Sequence, residues 1–331
     1  MPRVALIDAT LREGVQAPDV RLDAPASVEI ARGLAAAGVD MIEVGHPCAS
    51  PAERARVRAV VDLGLGLPVL AHARAVPGDV EAVADCGAPW VGIFLGVNAT
   101  TRKARVPEAD VEALLAKVHA AVGRAKRVGL SVRYTVEDAS RTSDAELVQA
   151  YVRARDAGAD RLCFADSVGA LEPAHVARRV AAIRAAFPEI PLEVHLHNDR
   201  GLALANALAA VDAGADWVST SVLGLGERCG ITETCALIAN LAHRGQRPLP
   251  PPGTLPALAA SVARLAAIPH PRRAPVIGLY AFTHTARLHV LAAARDSQAY
   301  AWMPPEQLGR VQATATRATA PALGDDEPDP T

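Results

Sequence analysis

The chain has 331 residues, of which 50% are hydrophobic and 21% are charged, and its formal net charge is −2. This composition suits a large buried core, while 3% aromatic residues and the lack of a basic stripe argue against a nucleic-acid partner. No apolar stretch is long enough to span a bilayer, and the charged start MPRVALIDATLREG does not resemble a signal peptide. We therefore expect no membrane partner. Because the five cysteines have no paired spacing, we also expect reduced thiols and a cytoplasmic location.

Short apolar runs alternate with helical stretches along the chain and predict eight β-strands. The runs begin at Val4, Asp40, Pro68, Trp90, Ser131, Arg161, Leu192 and Trp217. The stretches between them carry apolar residues at helical spacing, and several end on glycine. Nearly continuous apolar strands are typical of parallel sheets buried on both faces, so the pattern predicts an α/β fold, a (β/α)8 TIM barrel. An open doubly wound sheet is the alternative, but no glycine-rich dinucleotide fingerprint follows the first strand.

The order of these segments also predicts the domain organisation. The barrel is expected to occupy residues 1–246. A proline-rich linker over 247–253, with the sequence RPLPPPG, leads to a small helical C-terminal subdomain over 254–311. Residues 312–331 contain few large apolar side chains and are expected to be disordered.

The segment EVHLHND at the seventh predicted strand carries two histidines two positions apart. His195 and His197 therefore project from one face of that strand, and Glu13 follows the first strand at the same rim of the barrel. Two imidazoles and one carboxylate leave coordination positions open for water or substrate. We therefore predict a catalytic site for one divalent metal ion, for which zinc, manganese and magnesium are all suitable.

Other strands also finish in polar or charged residues at the carboxyl-terminal rim, where barrels of this kind place their active sites. Arg133, Thr135 and Glu137 are spaced by two on the fifth strand, and so share one face. His72 lies at the third strand and Ser167 follows the sixth. Charged groups at the ends of apolar strands are costly unless they are paired or used, so the rim predicts an active site.

Five motifs follow one another along the chain: DATLREGVQ, VEDASRT, ADSVG, HLHND with GLALAN, and GLGERCGIT. In these motifs the chain resembles the metal-dependent Claisen-condensing TIM barrels, or DRE-TIM metallolyases. That family includes homocitrate, isopropylmalate and citramalate synthases and hydroxymethylglutaryl-CoA lyase. The resemblance continues through AFTHTARLH and YAWMPPEQLGR in the C-terminal region. It implies an acyltransferase that joins the methyl carbon of acetyl-CoA to the carbonyl carbon of a 2-oxo acid.

Single positions indicate the branch of the family and the 2-oxo acid. Glu13, where most members have aspartate, and the segment GIT are similar to homocitrate synthases, which makes 2-oxoglutarate the first-choice substrate. Arg133 and Thr135 resemble the pair that holds its distal carboxylate, and Ser167 replaces a usual threonine beside them. The same pair would serve phosphonopyruvate or oxaloacetate. A neutral 2-oxo acid would leave the charge of Arg133 unpaired, which predicts strong discrimination against 2-oxoisovalerate. Two further substrate-contacting candidates, each with a structural role as its alternative, are Gln16 and His72.

The resemblance also implies which residues perform catalysis. Arg12 would stabilise the charge that develops on the 2-oxo oxygen, with a buried salt bridge as its alternative role. Glu137 matches the catalytic glutamate of the family. His289 and Tyr300 match residues that in relatives reach into the neighbouring subunit's barrel, with a surface histidine and a packing aromatic as the alternatives. We therefore expect a homodimer with shared active sites.

Two other functions remain open on the sequence alone. One is a carbon–carbon lyase, although Cys229 lacks the flanking glycine pattern of the mobile lyase loop. The other is a non-catalytic barrel that acts as a binding partner. The intact set of metal and catalytic candidates argues against that second possibility.

Overall fold

A computed structural model of the protein describes residues 3–311 and 313–314. Its strands are β1 (Ala5–Asp8), β2 (Met41–Val44), β3 (Val69–Arg74), β4 (Trp90–Phe94), β5 (Ser131–Val136), β6 (Arg161–Asp166), β7 (Leu192–Leu196), β8 (Trp217–Thr220), β9 (Thr283–His284) and β10 (Ala313–Thr314). Strands β1 to β8 pair in parallel in chain order, and β8 closes on β1 with Thr220 opposite Asp8. This closed barrel confirms the predicted (β/α)8 fold.

Helices cover the outside of the barrel. They are α1 (Ala24–Ala36), α2 (Pro51–Val61), α3 (Pro77–Asp85), α4 (Ala99–Arg105), α5 (Val111–Arg127), α6 (Asp144–Asp156), α7 (Pro173–Ala186), α8 (Ala203–Asp212), α9 (Thr234–His243) and α10 (Thr254–Leu265). A further helix, α11 (Arg287–Arg295), lies in the C-terminal region and has no buried residue. Local chemistry sets their starts: the Ser143 side chain and Glu146 form a capping box at α6, for example. Gly38 and Gly214 follow α1 and α8 with φ angles of 78° and 102°, a conformation that glycine adopts without steric cost.

Two apolar layers are separated by the barrel wall. The larger lies between the strands and the surrounding helices, while Ile7, Met41 and Leu70 form a small separate cluster packed against Trp90 and Trp217. Several of these side chains stand at the first residues of their strands, so the small cluster fills the amino-terminal end of the barrel interior. Side chains two residues further along project to the same face. At that level the interior is polar rather than apolar.

The first part of the segment after the barrel, through α10, packs against the barrel. Arg247, in the predicted linker, is buried and pairs with Asp40 at 2.6 Å. Leu258 of α10 is buried in the larger core cluster and approaches Gly33 of α1, where a β-carbon would come within 2.9 Å of it. The division of the chain at residues 246 and 253 stays a prediction.

The predicted disordered tail falls mostly outside the described residues. Residues 312 and 315–331 are not among them. Residues 313–314 form β10 and pair in parallel with β9, and disorder of the tail stays a prediction. Within the described part of the chain, no helix is both long and apolar enough to cross a membrane.

Candidate active site

A cavity of 360 Å³ opens among the carboxyl ends of the barrel strands. It brings together all the candidate residues that the sequence assigned to the barrel: Arg12, Glu13, Gln16, His72, Arg133, Thr135, Glu137, Ser167, His195 and His197. The other lining residues are His46, Phe94, Arg105, Cys163, Ala165, Glu227 and Arg228. The candidates of the C-terminal region do not line it. The cavity is therefore built by strand ends, as the barrel geometry requires.

The predicted metal ligands converge on one point of this cavity. The Nε2 atom of His195 lies 3.8 Å from one carboxylate oxygen of Glu13, and the Nε2 atom of His197 lies 4.0 Å from the other. The other ring nitrogen of His195 is 2.9 Å from the hydroxyl of Ser219, which holds the imidazole in place. The backbone N–H of Glu227 donates to Glu13 at 3.0 Å. All three side chains are buried, and these hydrogen bonds orient Glu13 and His195.

The charge state of these side chains suits a divalent cation. Burial alone would raise the pKa of Glu13, but the charge of Arg12, the two histidines and the Glu227 backbone N–H together outweigh it and hold the pKa at about 2. Burial, followed by the charge of Arg12, lowers the pKa of His195 to about 3, and burial also lowers the pKa of His197. At neutral pH the site therefore offers two neutral imidazoles and one carboxylate, which is the donor set that zinc and related metals bind. These residues fit the divalent metal that the sequence predicts.

A second group of metal-ligand side chains lies beside the cavity but differs in charge. His46, Cys48 and Asp79 hold their donor atoms within 4.8 Å of one another. Arg74 already binds both oxygens of Asp79, at 2.7 and 3.0 Å. The carboxylate is thus neutralised by a guanidinium, which makes this group an ion-paired cluster rather than a cation site.

Buried carboxylates of the barrel interior neutralise two of the arginines that line the cavity, Arg12 and Arg133. Arg12 donates through Nε to Glu43 at 2.8 Å and also pairs with Glu13. Arg133 donates to both oxygens of Glu43, at 2.9 and 3.0 Å, and to Glu193 at 2.9 Å. The expectation that a neutral substrate would leave the charge of Arg133 unpaired is therefore wrong, because two buried carboxylates already balance it. The buried salt bridge considered for Arg12 exists, and Arg12 lines the cavity as well.

Unpartnered polar atoms mark where a ligand would bind. Among the described residues, the buried hydroxyl of Thr135, Nε of Arg133 and Nδ1 of His197 have no hydrogen-bond partner. Buried polar groups in proteins nearly always have partners, so unpartnered atoms on residues that line a cavity are candidate contacts for a ligand or bound water. Ser167 differs, because its hydroxyl already accepts the backbone N–H of Asp138 at 2.9 Å.

The remaining wall of the cavity contains an aromatic pair and a second carboxylate. The ring of His72 stacks on Phe94, with centroids 4.6 Å apart. Burial, with the charge of Arg12 beside it, lowers the pKa of His72 well below its usual range. Glu137 pairs with Arg105 at 2.5 Å, yet its burial raises its pKa. Burial thus favours the protonated form of Glu137, whereas Glu13 stays ionised.

His289 and Tyr300 lie together in the C-terminal region. Their rings stack with centroids 4.0 Å apart, and His284 lies beside both. Tyr300 is 62% exposed, and Leu288 next to His289 is 76% exposed. Within one chain this pair is separate from the cavity, so the structure keeps the two predicted halves of the catalytic set apart.

Comparison with known proteins shows the family to which the chain belongs. Residues 3–261 match the HMGL-like family, and this match spans most of the chain. The chain belongs to the HMGL-like family. It is 38% identical to the homocitrate synthase of Saccharolobus islandicus over 316 residues, which is 94% of this chain and 68% of that relative. The homocitrate synthase of Saccharolobus solfataricus is equally similar, with 38% identity over 316 residues, 94% of this chain and 68% of the relative.

Solved structures share the fold of this HMGL-like chain. The hydroxymethylglutaryl-CoA lyase of Bacillus subtilis superposes with a TM-score of 0.72 and 21% identity, covering 82% of this chain and 98% of the lyase. The lyase of Pseudomonas aeruginosa gives a TM-score of 0.72 at 19% identity, covering 82% and 95% of the two chains. At such identities the likeness concerns the fold alone. The sequence relatives, which are much more similar, are synthases.

The structure of this HMGL-like protein adds residues that the sequence did not single out. Arg105 reaches Glu137 from helix α4, away from any strand end, and no sequence pattern pointed to it. Glu43 and Glu193 lie inside β2 and β7 and are fully buried. A signal existed for these two, because a glutamate within an otherwise apolar strand needs a buried cationic partner.

Proposed function

We propose that this enzyme is an acyltransferase that condenses acetyl-CoA with an anionic 2-oxo acid, with 2-oxoglutarate as the first choice. The observation that carries the proposal is 38% identity to homocitrate synthases across 94% of the chain. Among the alternatives, oxaloacetate and phosphonopyruvate have the same 2-oxo acid head and an anionic far end. The lyase reaction is not favoured, because the lyase structures resemble this chain in fold at 21% identity or less.

One divalent metal ion would be held by Glu13, His195 and His197, whose donor atoms face one another in the cavity. When bound, it would act as a Lewis acid on the 2-oxo group and orient the adjacent carboxylate. Arg12 lies next to Glu13 and presents a fixed positive charge to the same part of the cavity. That charge stabilises the negative oxygen that develops as the new carbon–carbon bond forms. Zinc, manganese and magnesium remain alternatives for the ion.

The far end of the 2-oxo acid is assigned to the fifth-strand side of the cavity. The hydroxyl of Thr135 and Nε of Arg133 are buried and without partners there, so both are able to donate to an anionic group. Glu43 and Glu193 partly offset the charge of Arg133, so the far end would be recognised by these directed donors together with the charge that stays available. Gln16, His72 and Ser167 complete the wall around the substrate.

Removal of a proton from the methyl group of acetyl-CoA needs a positioned base. Glu137 stands in the cavity, and burial raises its pKa. We assign His289 and Tyr300 to the same step, delivered by a second copy of the chain in a homodimer. The C-terminal region also exposes apolar side chains, including Leu279, Leu288 and Trp302, which such a partner would cover. A cytoplasmic location stays a prediction.

The proposal is tested by following free thiol from released CoA. The enzyme is given acetyl-CoA, a divalent metal ion and one acid from a panel of 2-oxoglutarate, oxaloacetate, phosphonopyruvate and 2-oxoisovalerate. We expect release with at least one anionic acid, with 2-oxoglutarate fastest, and little release with 2-oxoisovalerate. A protein that binds metal but releases no CoA with any acid would contradict the proposed reaction. The His195→Ala variant is the matched control for metal-independent thioester hydrolysis.

A further inference from the structure

Six buried charges of alternating sign run down the barrel interior from its amino-terminal end to the predicted metal site. Arg161 pairs with Glu193 at 3.0 Å, and Glu193 pairs with Arg133 at 2.9 Å. Arg133 pairs with Glu43 at 2.9 Å, Glu43 pairs with Arg12 at 2.8 Å, and Arg12 contacts Glu13. We call this series the charge chain: Arg161, Glu193, Arg133, Glu43, Arg12 and Glu13.

The charge chain is closed to solvent at its lower end. The side chains of Arg161 and Glu193 are 3% and 0% exposed, and neither residue lines the cavity. The guanidinium of Arg161 lies between the rings of Trp90 and Trp217, with its central carbon 4.7 and 3.5 Å from their centroids. Aromatic faces favour a cation, so these rings help to keep Arg161 charged at this depth.

Arg133 is the link between the closed part of the charge chain and the cavity. It lines the cavity, and Glu193 binds it from below at 2.9 Å. In a buried setting of low dielectric, a charge at this distance strongly alters the field that the guanidinium presents on its other side. Arg161, on the far oxygen of Glu193, in turn weakens the hold of that carboxylate on Arg133.

We propose that Glu193 and Arg161 determine specificity, although neither touches substrate, by setting how much of the charge of Arg133 is available to the far end of the 2-oxo acid. This inference rests on the proposed function, in which Arg133 faces that end. Glu193 reduces the preference for an anionic far end, and Arg161 increases it. The two residues therefore have opposite effects on one quantity.

The opposite effects expected of Glu193 and Arg161 on substrate preference distinguish this proposal from a merely structural role. Removing either partner of a buried ion pair leaves an uncompensated charge and lowers stability. If the pair only supported the fold, Glu193→Gln and Arg161→Gln would both impair the enzyme and would leave the substrate preference unchanged. If the pair tunes Arg133, the two variants move the preference in opposite directions, whatever happens to the overall rate.

The test compares 2-oxoglutarate with 2-oxoglutaramate, which has the same length but a neutral amide in place of the distal carboxylate. The quantity measured is kcat/KM for 2-oxoglutarate divided by kcat/KM for 2-oxoglutaramate, with acetyl-CoA in the metal-loaded enzyme. We expect Glu193→Gln to raise the ratio by on the order of tenfold and Arg161→Gln to lower it by a similar factor. The control is Arg124→Gln, which removes an exposed ion pair with Glu81 on the outer helices and should leave the ratio unchanged.

A third variant covers the case in which a single variant does not fold. The double variant Glu193→Gln/Arg161→Gln removes one charge of each sign, and its ratio should lie between that of the wild type and that of Glu193→Gln. Far-UV circular dichroism and metal content establish that each protein is intact. Single variants that shift the ratio in the same direction, or a double variant at or below the wild-type ratio, would overturn the inference. A wild-type enzyme inactive with the whole acid panel would instead refute the proposed function.

Discussion

The barrel interior and the C-terminal region carry the two halves of the predicted catalytic set in different ways. In the barrel, closed strand pairing fixes each side chain, and Glu13, His195 and His197 meet within one chain. In the C-terminal region, His289 and Tyr300 contact each other on an exposed surface, away from the cavity. A parallel barrel thus assembles a site from local strand geometry alone. In the proposed reaction, the residues of the outer region would need a second surface to gain a catalytic position.

The largest expected effect concerns the barrel half. Replacing His195 or His197 by alanine would remove one of the three proposed ligands, so metal content should fall strongly. Loss of Lewis-acid stabilisation worth several kcal/mol should lower kcat by about 10³-fold or more. Metal analysis of the purified proteins, together with the CoA-release assay before and after chelation, measures both. Full metal occupancy in the double variant would show that these residues are not the ligands.

The second prediction tests whether the C-terminal half acts in a partner's barrel. Glu137→Gln and His289→Ala should each lower activity by about 10²–10⁴-fold, because each removes a group from proton transfer. After subunit exchange of the two inactive proteins, random pairing restores one complete site in each mixed dimer, or about a quarter of all sites. Activity of the mixture against either parent is the measurement. Mixed dimers that are verified and still inactive would argue against sharing.

The third prediction is that the barrel interior carries its own pH dependence of stability. Burial raises the pKa of Asp8 from 3.8 to about 6, so between pH 4 and 6 the folded state keeps a proton that the unfolded state has released. The free energy of unfolding therefore falls as pH rises through this window, by up to about 3 kcal/mol from this group. Asp8→Asn should be as stable as the wild type near pH 4 and more stable at pH 7. Urea unfolding of both proteins at pH 4 and pH 7 measures this. If the free energies of unfolding of Asp8→Asn and the wild type differ equally at both pH values, the raised pKa of Asp8 is contradicted.

The smallest expected effect concerns a single hydroxyl. Thr135→Val removes a buried donor without a partner, so it should leave stability unchanged or increase it by about 1 kcal/mol. It should raise KM for the 2-oxo acid by about tenfold, since one hydrogen bond to substrate is lost. Thr234→Val is the matched control, because the Thr234 hydroxyl donates to Asp8 at 2.6 Å and its loss should cost stability. If Thr135→Val keeps the KM of the wild type, Thr135 does not contact the substrate.

The sequence predicted what strand periodicity controls. Alternation along a strand, together with the rule that the active site lies at carboxyl ends, was enough to indicate the barrel and to group Glu13, His195 and His197. Strand alternation did not predict that the charge of Arg133 is paired. Its partners Glu43 and Glu193 come from two other strands, 90 and 60 residues away in sequence. Contacts across the barrel axis depend on side-chain length and register, which the pattern of one strand does not contain. Arg105 was missed for a related reason, since it reaches the cavity from a helix.

The most direct test of the proposed reaction is the fate of the methyl carbon of acetyl-CoA. The metal-loaded enzyme is incubated with acetyl-CoA labelled with carbon-13 in the methyl group and with 2-oxoglutarate, and the products are followed by NMR and mass spectrometry. We predict that the label appears in a methylene group bonded to the former carbonyl carbon of the 2-oxo acid, with one free CoA formed for each labelled product. Release of CoA with all the label recovered as acetate, and no new carbon–carbon bond, would contradict the proposed function.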